Sequence, residues 1–268
     1  MNDFKFDREA YLKRINYKND LTVSIECLRQ LHYAQLFTIP FENFDIVLGK
    51  GIDLEPAKLF DKLVHHRRGG YCFELNGLFL MALQSFGFEA RALLGRVHSS
   101  EPPSGKGHQF TLVTIDGKQW IADVGFGNGT MQGPLPLVLD QETTVFQQTF
   151  RLVEAHPYGT MLQMLIDGEW KNQYSFTLNH VFPNDIAYGN HYTSTSPDSF
   201  FVKSRVAALP TPDGTHTLYN HSLKRYDGEQ LHLEELEENS AYIIALEEVF
   251  GIKLDASISD LKPLERRE

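Results

Sequence analysis

Three residues of this 268-residue chain have the types and the spacing for thiol chemistry: Cys72, His108 and Asp123. Cys72 follows the glycine pair at 69–70 and precedes a run whose apolar residues recur with helical spacing, so it is expected where a helix begins. Unpaired backbone N–H groups and the positive end of the helix dipole favour a thiolate there. A cysteine in an apolar segment is more often an inert core residue, but this placement favours a nucleophile.

A hairpin pattern brings His108 and Asp123 together. Asp116-Gly117 lies between two β-prone runs and is a strong signal for a tight hairpin turn. With a two-residue loop, the numbers of opposed residues sum to 233, so His108 and Asp123 share a face as diagonal neighbours about 7–8 Å apart. A four-residue loop also keeps them on one face, whereas a three-residue loop separates them. The carboxylate can then orient the imidazole and stabilise its protonated form, as in a catalytic triad.

A further motif, Ile39-Pro40-Phe41-Glu42-Asn43, follows a stretch in which Ile25, Leu28 and Leu31 recur with helical spacing. Pro40 disfavours helix at the residue before it, so the segment is predicted to be a loop. We expect Glu42 to pair with Arg68 and orient the turn that carries the nucleophile, because a partly buried arginine seeks a carboxylate. Simple packing of the phenylalanines is the alternative.

Composition narrows the classes of function. The formal net charge is −10 and the longest basic run is Arg67-Arg68, so the electrostatic footprint of a nucleic-acid-binding protein is missing. The chain has no apolar run of about 18 residues, and residues 1–7 lack the apolar core of a secretory signal. Its two cysteines, without an export signal, indicate a reducing compartment, and we expect a cytoplasmic location. The second cysteine, Cys27, is interpreted as a structural thiol.

The chain divides into three segments by its periodicity. Residues 1–88 show helical spacing. Residues 89–195 contain alternating β-prone stretches and turns, which predict an antiparallel sheet curled into a barrel-like body. Residues 196–268 are mixed. The pattern is that of an α+β protein whose segments are subdomains of one body.

Two other kinds of site are disfavoured. The stretch Gly125-Phe126-Gly127-Asn128-Gly129 lacks the spacing of a phosphate-binding loop, and two prolines follow where a helix should begin. We interpret it as the rim of the site. The histidines and cysteines show neither an H-E-x-x-H nor a C-x-x-C pattern, so no metal site is expected.

Several motifs in order resemble those of the arylamine N-acetyltransferases. Arg68-Gly69-Gly70-Tyr71-Cys72-Phe73-Glu74-Leu75-Asn76 is similar to the active-cysteine motif of that family, and the Pro-Phe-Glu-Asn motif at 40–43 to its upstream motif. His108 and Asp123-Val124-Gly125-Phe126-Gly127 match the remaining triad positions in order and approximate spacing. The segments 195–199 and 211–214 resemble the third part of the family's chain.

The resemblance implies an α+β fold with a Cys-His-Asp triad as in cysteine-protease-like folds. It implies a helical N-terminal subdomain (1–88) carrying the nucleophile, a central antiparallel β-barrel (89–195) carrying the histidine and the aspartate, and a C-terminal α/β lid (196–268). It also implies transfer of acetyl groups from acetyl-CoA to arylamines, arylhydrazines or N-hydroxyarylamines, by a ping-pong mechanism through an acetyl-cysteine.

Residue roles follow from the same resemblance. Cys72 is the acyl-accepting nucleophile, His108 the base and Asp123 the orienting carboxylate. Glu42 and Arg68 match the family's structural ion pair. Positions that contact the acceptor, CoA or substrate in the family correspond to Phe41, Ser104, Gly105, Gly107 and Phe126.

Two other hypotheses remain open on the residues alone. The triad would also suit an amide hydrolase or a transglutaminase-like acyltransferase. The scaffold could also serve a non-catalytic binding protein, although the loss of a triad residue that would mark one is not found in this sequence. The expected partners are CoA and a small aromatic amine or hydrazine, without nucleic acid, membrane or metal. We expect a monomer or a weak homo-oligomer.

Overall fold

The computed structural model describes residues 4–228 and 230–264, which form a mixed α/β protein. Its helices are α1 (Arg8–Arg14), α2 (Ile25–Leu36), α3 (Phe44–Val47), α4 (Pro56–Phe60), α5 (Cys72–Ser85), α6 (Pro183–Thr195), α7 (Phe200–Lys203) and α8 (Ser240–Phe250), with a π-helical turn Asp61–His65 after α4 and a 3₁₀ turn Ile258–Asp260. Its strands are β1 (Phe41–Glu42), β2 (Glu89–Val97), β3 (His108–Ile115), β4 (Lys118–Ala122), β5 (Leu135–Pro136), β6 (Thr143–Val145), β7 (Gln148–Ala155), β8 (Gly159–Ile166), β9 (Glu169–Phe176), β10 (Val206–Thr211), β11 (Gly214–Tyr219), β12 (Ser222–Asp227) and β13 (Gln230–Glu235).

The N-terminal segment is helical, as its spacing predicts, and its helices pack around α5. Asp7 caps α1 by accepting from the Ala10 N–H at 3.0 Å, and Ser24 caps α2 by accepting from the Cys27 N–H at 3.2 Å. Helix α5 is apolar on nearly every side and is buried along most of its length. The helix that begins at Cys72 is therefore central to the largest apolar core.

Residues 89–176 form an eight-stranded sheet in the order β5-β4-β3-β2-β9-β8-β7-β6, and every pairing is antiparallel. The strand β3 pairs with β4 in the register expected from the Asp116-Gly117 turn, with Thr111 opposite Ala122. The two edges approach each other, since the Gln132 N–H donates to Gln148 Oε1 at 3.0 Å. The sheet is thus nearly closed into a barrel.

A second sheet joins distant parts of the chain in the order β1-β10-β11-β12-β13. One of its two edge strands is β1, in which Phe41 pairs with Ala208. The prediction of a loop was wrong for Phe41–Glu42, because their partner strand lies more than 160 residues later and leaves no trace in the local pattern, whereas Ile39, Pro40 and Asn43 are irregular as predicted.

Helix α6 corrects the interpretation of residues 183–195 as part of the β-rich segment. Pro183 occupies the first helical turn, where its missing N–H costs nothing, and the Phe182 N–H donates to the Asp185 carboxylate at 2.8 Å. The helix lies against the start of α5, where the Tyr71 hydroxyl donates to the Asn190 side chain. The division into three subdomains stays a prediction.

Candidate active site

Cys72 is the first residue of α5, as the glycine-marked boundary predicts, and its side chain is only 3% exposed. The Glu74 carboxylate, three residues into the helix, accepts from the Tyr71 N–H at 3.1 Å and so caps the helix start. The thiol lies 3.6 Å from the Gly107 carbonyl oxygen, in the loop before β3. The cysteine is thus held between the helix start and the strand that carries the histidine.

A buried network of charges fixes the turn before Cys72. Arg68 Nη2 lies 2.7 Å from Glu42 Oε1 and 3.1 Å from Asp45 Oδ1, which establishes the expected ion pair of Glu42 and Arg68. Lys62 Nζ lies 2.6 Å from Asp45 Oδ2 and 2.7 Å from Glu74 Oε1. Lys62 therefore bridges two carboxylates: that of Asp45, which also pairs with Arg68, and that of Glu74, which caps the start of α5.

Burial and pairing act in opposite directions on these carboxylates. Burial raises the pKa of Glu74, and the Lys62 ammonium offsets only part of that rise. Burial also favours the neutral form of Asp45, but Lys62 and Arg68 outweigh it and hold the pKa of Asp45 below its ordinary value. The pKa values of Glu74 and Asp45 therefore both depend on the positive charge of Lys62.

His108 and Asp123 lie at the open end of the β3–β4 hairpin, both buried. His108 Nε2 is 2.7 Å from Asp123 Oδ2. Because Nε2 faces the carboxylate, Nδ1 is the ring nitrogen left for the thiol of Cys72. The hairpin register thus places the two residues as the spacing predicts.

The second oxygen of the Asp123 carboxylate is also fully engaged. Asp123 Oδ1 accepts from Asn76 Nδ2 at 2.9 Å and from the Gly125 N–H at 3.0 Å. Asn76 Oδ1 in turn accepts from the Val124 N–H at 3.0 Å. Buried His32, on α2, lies with Nε2 2.9 Å from the Asp123 carbonyl oxygen, and burial lowers the pKa of His32 to about 4. The carboxylate therefore has one orientation available to it.

The electrostatics favour a charged pair of His108 and Asp123. Burial alone would lower the pKa of His108, but the Asp123 carboxylate and the neighbouring Cys72 outweigh it and raise that pKa to about 10. Burial would likewise raise the pKa of Asp123, yet His108, Asn76 and the Gly125 N–H hold it below its ordinary value.

Close backbone approach explains two of the glycines. A Cβ on Gly69 would lie 2.3 Å from the Pro40 carbonyl oxygen, and one on Gly125 would lie 3.2 Å from Cys72 Cα and 2.8 Å from Asn76 Nδ2. Each added methyl group would push apart the elements that meet at the site.

The residues expected to contact substrate or CoA fall into two groups. Phe126 packs edge-on against the His108 ring, with centroids 5.0 Å apart, and the Phe41 ring lies near the Gly127 backbone. Gly107 lies at the thiol. Ser104 and Gly105 lie further out, on an exposed part of the loop that precedes β3. Phe41, Phe126 and Gly107 therefore lie at or next to the triad, whereas Ser104 and Gly105 are not brought against it.

Sequence reasoning missed several residues that hold the site. Asn76 is one helical turn after Cys72, and this spacing was a usable signal. The sequence carries no comparable signal for Lys62, His32 or Tyr174, because each reaches the site only through tertiary packing. The Tyr174 ring lies with its centroid 4.8 Å from that of His108.

In the described part of the chain, no group of three or more His, Cys, Asp and Glu side chains is arranged to hold a metal ion. Among the helices of residues 4–228 and 230–264, none has the length and apolarity that a membrane span requires.

A thiol at a helix start, facing a histidine held by a buried carboxylate, is the arrangement of cysteine-dependent acyl-transfer enzymes. Comparison with known proteins narrows this class. The model of a family described as N-acetyltransferase matches residues 24–259. The arylamine N-acetyltransferase of Escherichia coli is 36% identical over 249 residues, which cover 91% of this chain and 88% of the relative. Arylamine N-acetyltransferase 1 of Homo sapiens is 34% identical over 81% of this chain and 82% of its own.

Solved structures show the same fold. The arylamine N-acetyltransferase of Salmonella typhimurium aligns with a TM-score of 0.87 at 32% identity, over 94% of this chain and 95% of that one. The Mycobacterium marinum enzyme, solved in complex with CoA, aligns with a TM-score of 0.87 at 32% identity, over 96% and 97%. The chain belongs to the arylamine N-acetyltransferase family and is an acyltransferase.

Proposed function

We propose that this enzyme moves an acetyl group from acetyl-CoA to arylamines, arylhydrazines or N-hydroxyarylamines by a ping-pong mechanism through an acetyl-Cys72 intermediate. The observation that carries the proposal is the buried Cys72 beside a His108 that is held 2.7 Å from Asp123. A relative from Salmonella typhimurium, 39% identical over 224 residues, is named an arylamine N-acetyltransferase and N-hydroxyarylamine O-acetyltransferase.

In the first half-reaction, the proton that leaves the Cys72 thiol resides on His108 Nδ1, and Asp123 stabilises this imidazolium beside the thiolate. The thiolate attacks the acetyl carbonyl carbon. A new C–S bond forms to Cys72, the bond to the CoA sulfur breaks, and CoA leaves as the thiol with the proton from His108. Backbone N–H groups at the start of α5, including that of Cys72, are the candidates to hold the oxyanion.

In the second half-reaction, the amine nitrogen attacks the acetyl-Cys72 carbonyl and His108 removes its proton. The C–S bond breaks and Cys72 leaves as a thiolate. Phe41 and Phe126 would stack a flat acceptor and keep water from the thioester. The position of Phe126, edge-on to the imidazole, supports this role.

Mass spectrometry after brief exposure to acetyl-CoA without an amine tests the proposal. The wild-type protein should gain one acetyl group on Cys72 and lose it to an added arylamine. Cys72→Ala should gain none, whereas Cys27→Ala, which changes the other buried cysteine, should behave as wild type. An alkylatable Cys72 that takes no acetyl group would exclude acetyl-CoA as donor. An acetyl-enzyme that discharges to water as fast as to an amine would favour the hydrolase.

A further inference from the structure

A large groove lies outside the triad, between α2 and strands β4 and β6. Its volume is about 1000 Å³, at the upper end for small-molecule sites. We call it the α2 groove. Its aromatic walls include Tyr33 on α2, Phe37 directly after α2, Trp120 on β4 and Phe146 after β6. None of its lining residues belongs to the Cys72, His108 and Asp123 set.

Phe146 is an unusual residue for its position. It begins the two-residue turn between β6 and β7 with φ +54°, a conformation that favours glycine or asparagine and strains a bulky side chain. The residue is nonetheless 61% exposed, so burial does little to offset the strain. Strained residues of this kind occur preferentially at ligand sites.

The exposed ring of Phe146 continues an aromatic stack. Its centroid lies 5.4 Å from that of Tyr33, with an interplanar angle of 24°, and Tyr33 lies 4.1 Å from Phe37 at 23°. A stack that ends in an open groove presents planar surface to a planar ligand.

The charged residues of the groove favour an anion. Arg29 lies over the Trp120 ring at 5.8 Å, and Lys18 is exposed. The one carboxylate, that of Glu26, accepts from Gln30 at 2.9 Å and lies 3.9 Å from Arg29. The described lining therefore carries one net positive charge on a chain whose formal net charge is −10.

We propose that the α2 groove binds a planar aromatic carboxylate, at a site separate from the acetyl-transfer chemistry. The rings of Tyr33, Phe37 and Phe146 would stack the aromatic system, and Arg29 with Lys18 would receive the carboxylate.

Nitrogen-15 NMR tests the site directly, because the chain has only two tryptophans. Trp170→Phe assigns the two indole N–H signals. Titration with 2-naphthoate should shift the Trp120 signal saturably and leave the Trp170 signal in place. Naphthalene-2-carboxamide, which has the same shape without the charge, should bind roughly fivefold more weakly, as the loss of an exposed ion pair implies.

Two variants locate the binding. Phe146→Gly suits the turn and removes the ring, and Arg29→Gln removes the charge; each should weaken 2-naphthoate binding roughly fivefold. Phe182→Gly is the matched control, since Phe182 is also exposed, at 60%, but lies outside the groove. An unshifted Trp120 signal, or equal binding by Phe146→Gly and the parent, would overturn the proposal. So would a dimer in sedimentation that Phe146→Gly abolishes and 2-naphthoate leaves unchanged, because a second copy would then occupy the groove.

Discussion

Asp123 holds His108 through one carboxylate oxygen while Asn76 and a backbone N–H hold the other, so neither group can turn without breaking a buried hydrogen bond. Asp123→Asn should therefore slow acetylation of Cys72 by about 10²–10⁴-fold, because an amide cannot stabilise the imidazolium and favours the wrong tautomer. Rapid-quench mass spectrometry of the acetyl-enzyme measures the rate. Asp116→Asn, in the turn of the same hairpin, is the control and should keep the parent rate. An unimpaired Asp123→Asn enzyme would remove Asp123 from the mechanism.

The charged state of His108 predicts a pH dependence of stability. Its pKa rises from an ordinary 6.5 to about 10 in the folded protein, so the folded state keeps a proton that the unfolded chain releases between those values. This stabilisation is fully present below pH 6.5 and is lost as the pH rises through about 10. The difference in free energy of unfolding between wild type and His108→Gln should therefore decrease as the pH rises from 6.5 to about 10. Urea unfolding at several pH values measures it, and a constant difference would contradict the prediction.

Much of the site could be predicted from local patterns. The Asp116-Gly117 turn determines the pairing register, and the two-residue side-chain period then puts His108 and Asp123 on one face. The helix start at Cys72 follows equally from the change of periodicity at the glycine pair. These predictions succeed because each depends on residues close in sequence.

Other parts of the site depend on contacts that no local pattern records. Strand β1 forms by pairing with distant backbone at Ala208 and Gly70, and His32 reaches the Asp123 carbonyl from a position 91 residues earlier. Helix α6 could not be predicted from the polar composition of residues 183–195. It is stabilised by its cap at Asp185 and by packing on α5. Tertiary context decides such elements.

Lys62 should be the most sensitive residue of the charge network. Lys62→Met removes the ammonium that lies 2.7 Å from buried Glu74, leaving a carboxylate without its counter-charge. We expect a loss of about 3–5 kcal/mol in the free energy of unfolding, measured with urea. The double variant Lys62→Met/Glu74→Gln should recover part of it, because the unpaired charge is gone. A Lys62→Met protein as stable as the parent would show that the ion pairs of Lys62 make no net contribution to the free energy of unfolding.

Gly125→Ala tests whether close packing at the site matters for the chemistry as well as for stability. The added Cβ would lie 2.8 Å from Asn76 Nδ2 and 3.2 Å from Cys72 Cα, so Asn76 must move away from the Asp123 carboxylate that it holds. We expect a loss of about 1–3 kcal/mol in the free energy of unfolding and, in the protein that remains folded, slower acetylation of Cys72.

The matched substitution for Gly125→Ala is Gly105→Ala, because a Cβ on Gly105 meets no atom within 4 Å and should leave stability unchanged. Coupling provides the sharper comparison. Since Asn76 is the nearest obstacle, Gly125→Ala should cost less free energy of unfolding in an Asn76→Ala background than in the parent, and a double-mutant cycle measures the difference. Strictly additive effects would mean that the two residues do not press on each other, and that Gly125 acts on Cys72 through the backbone alone.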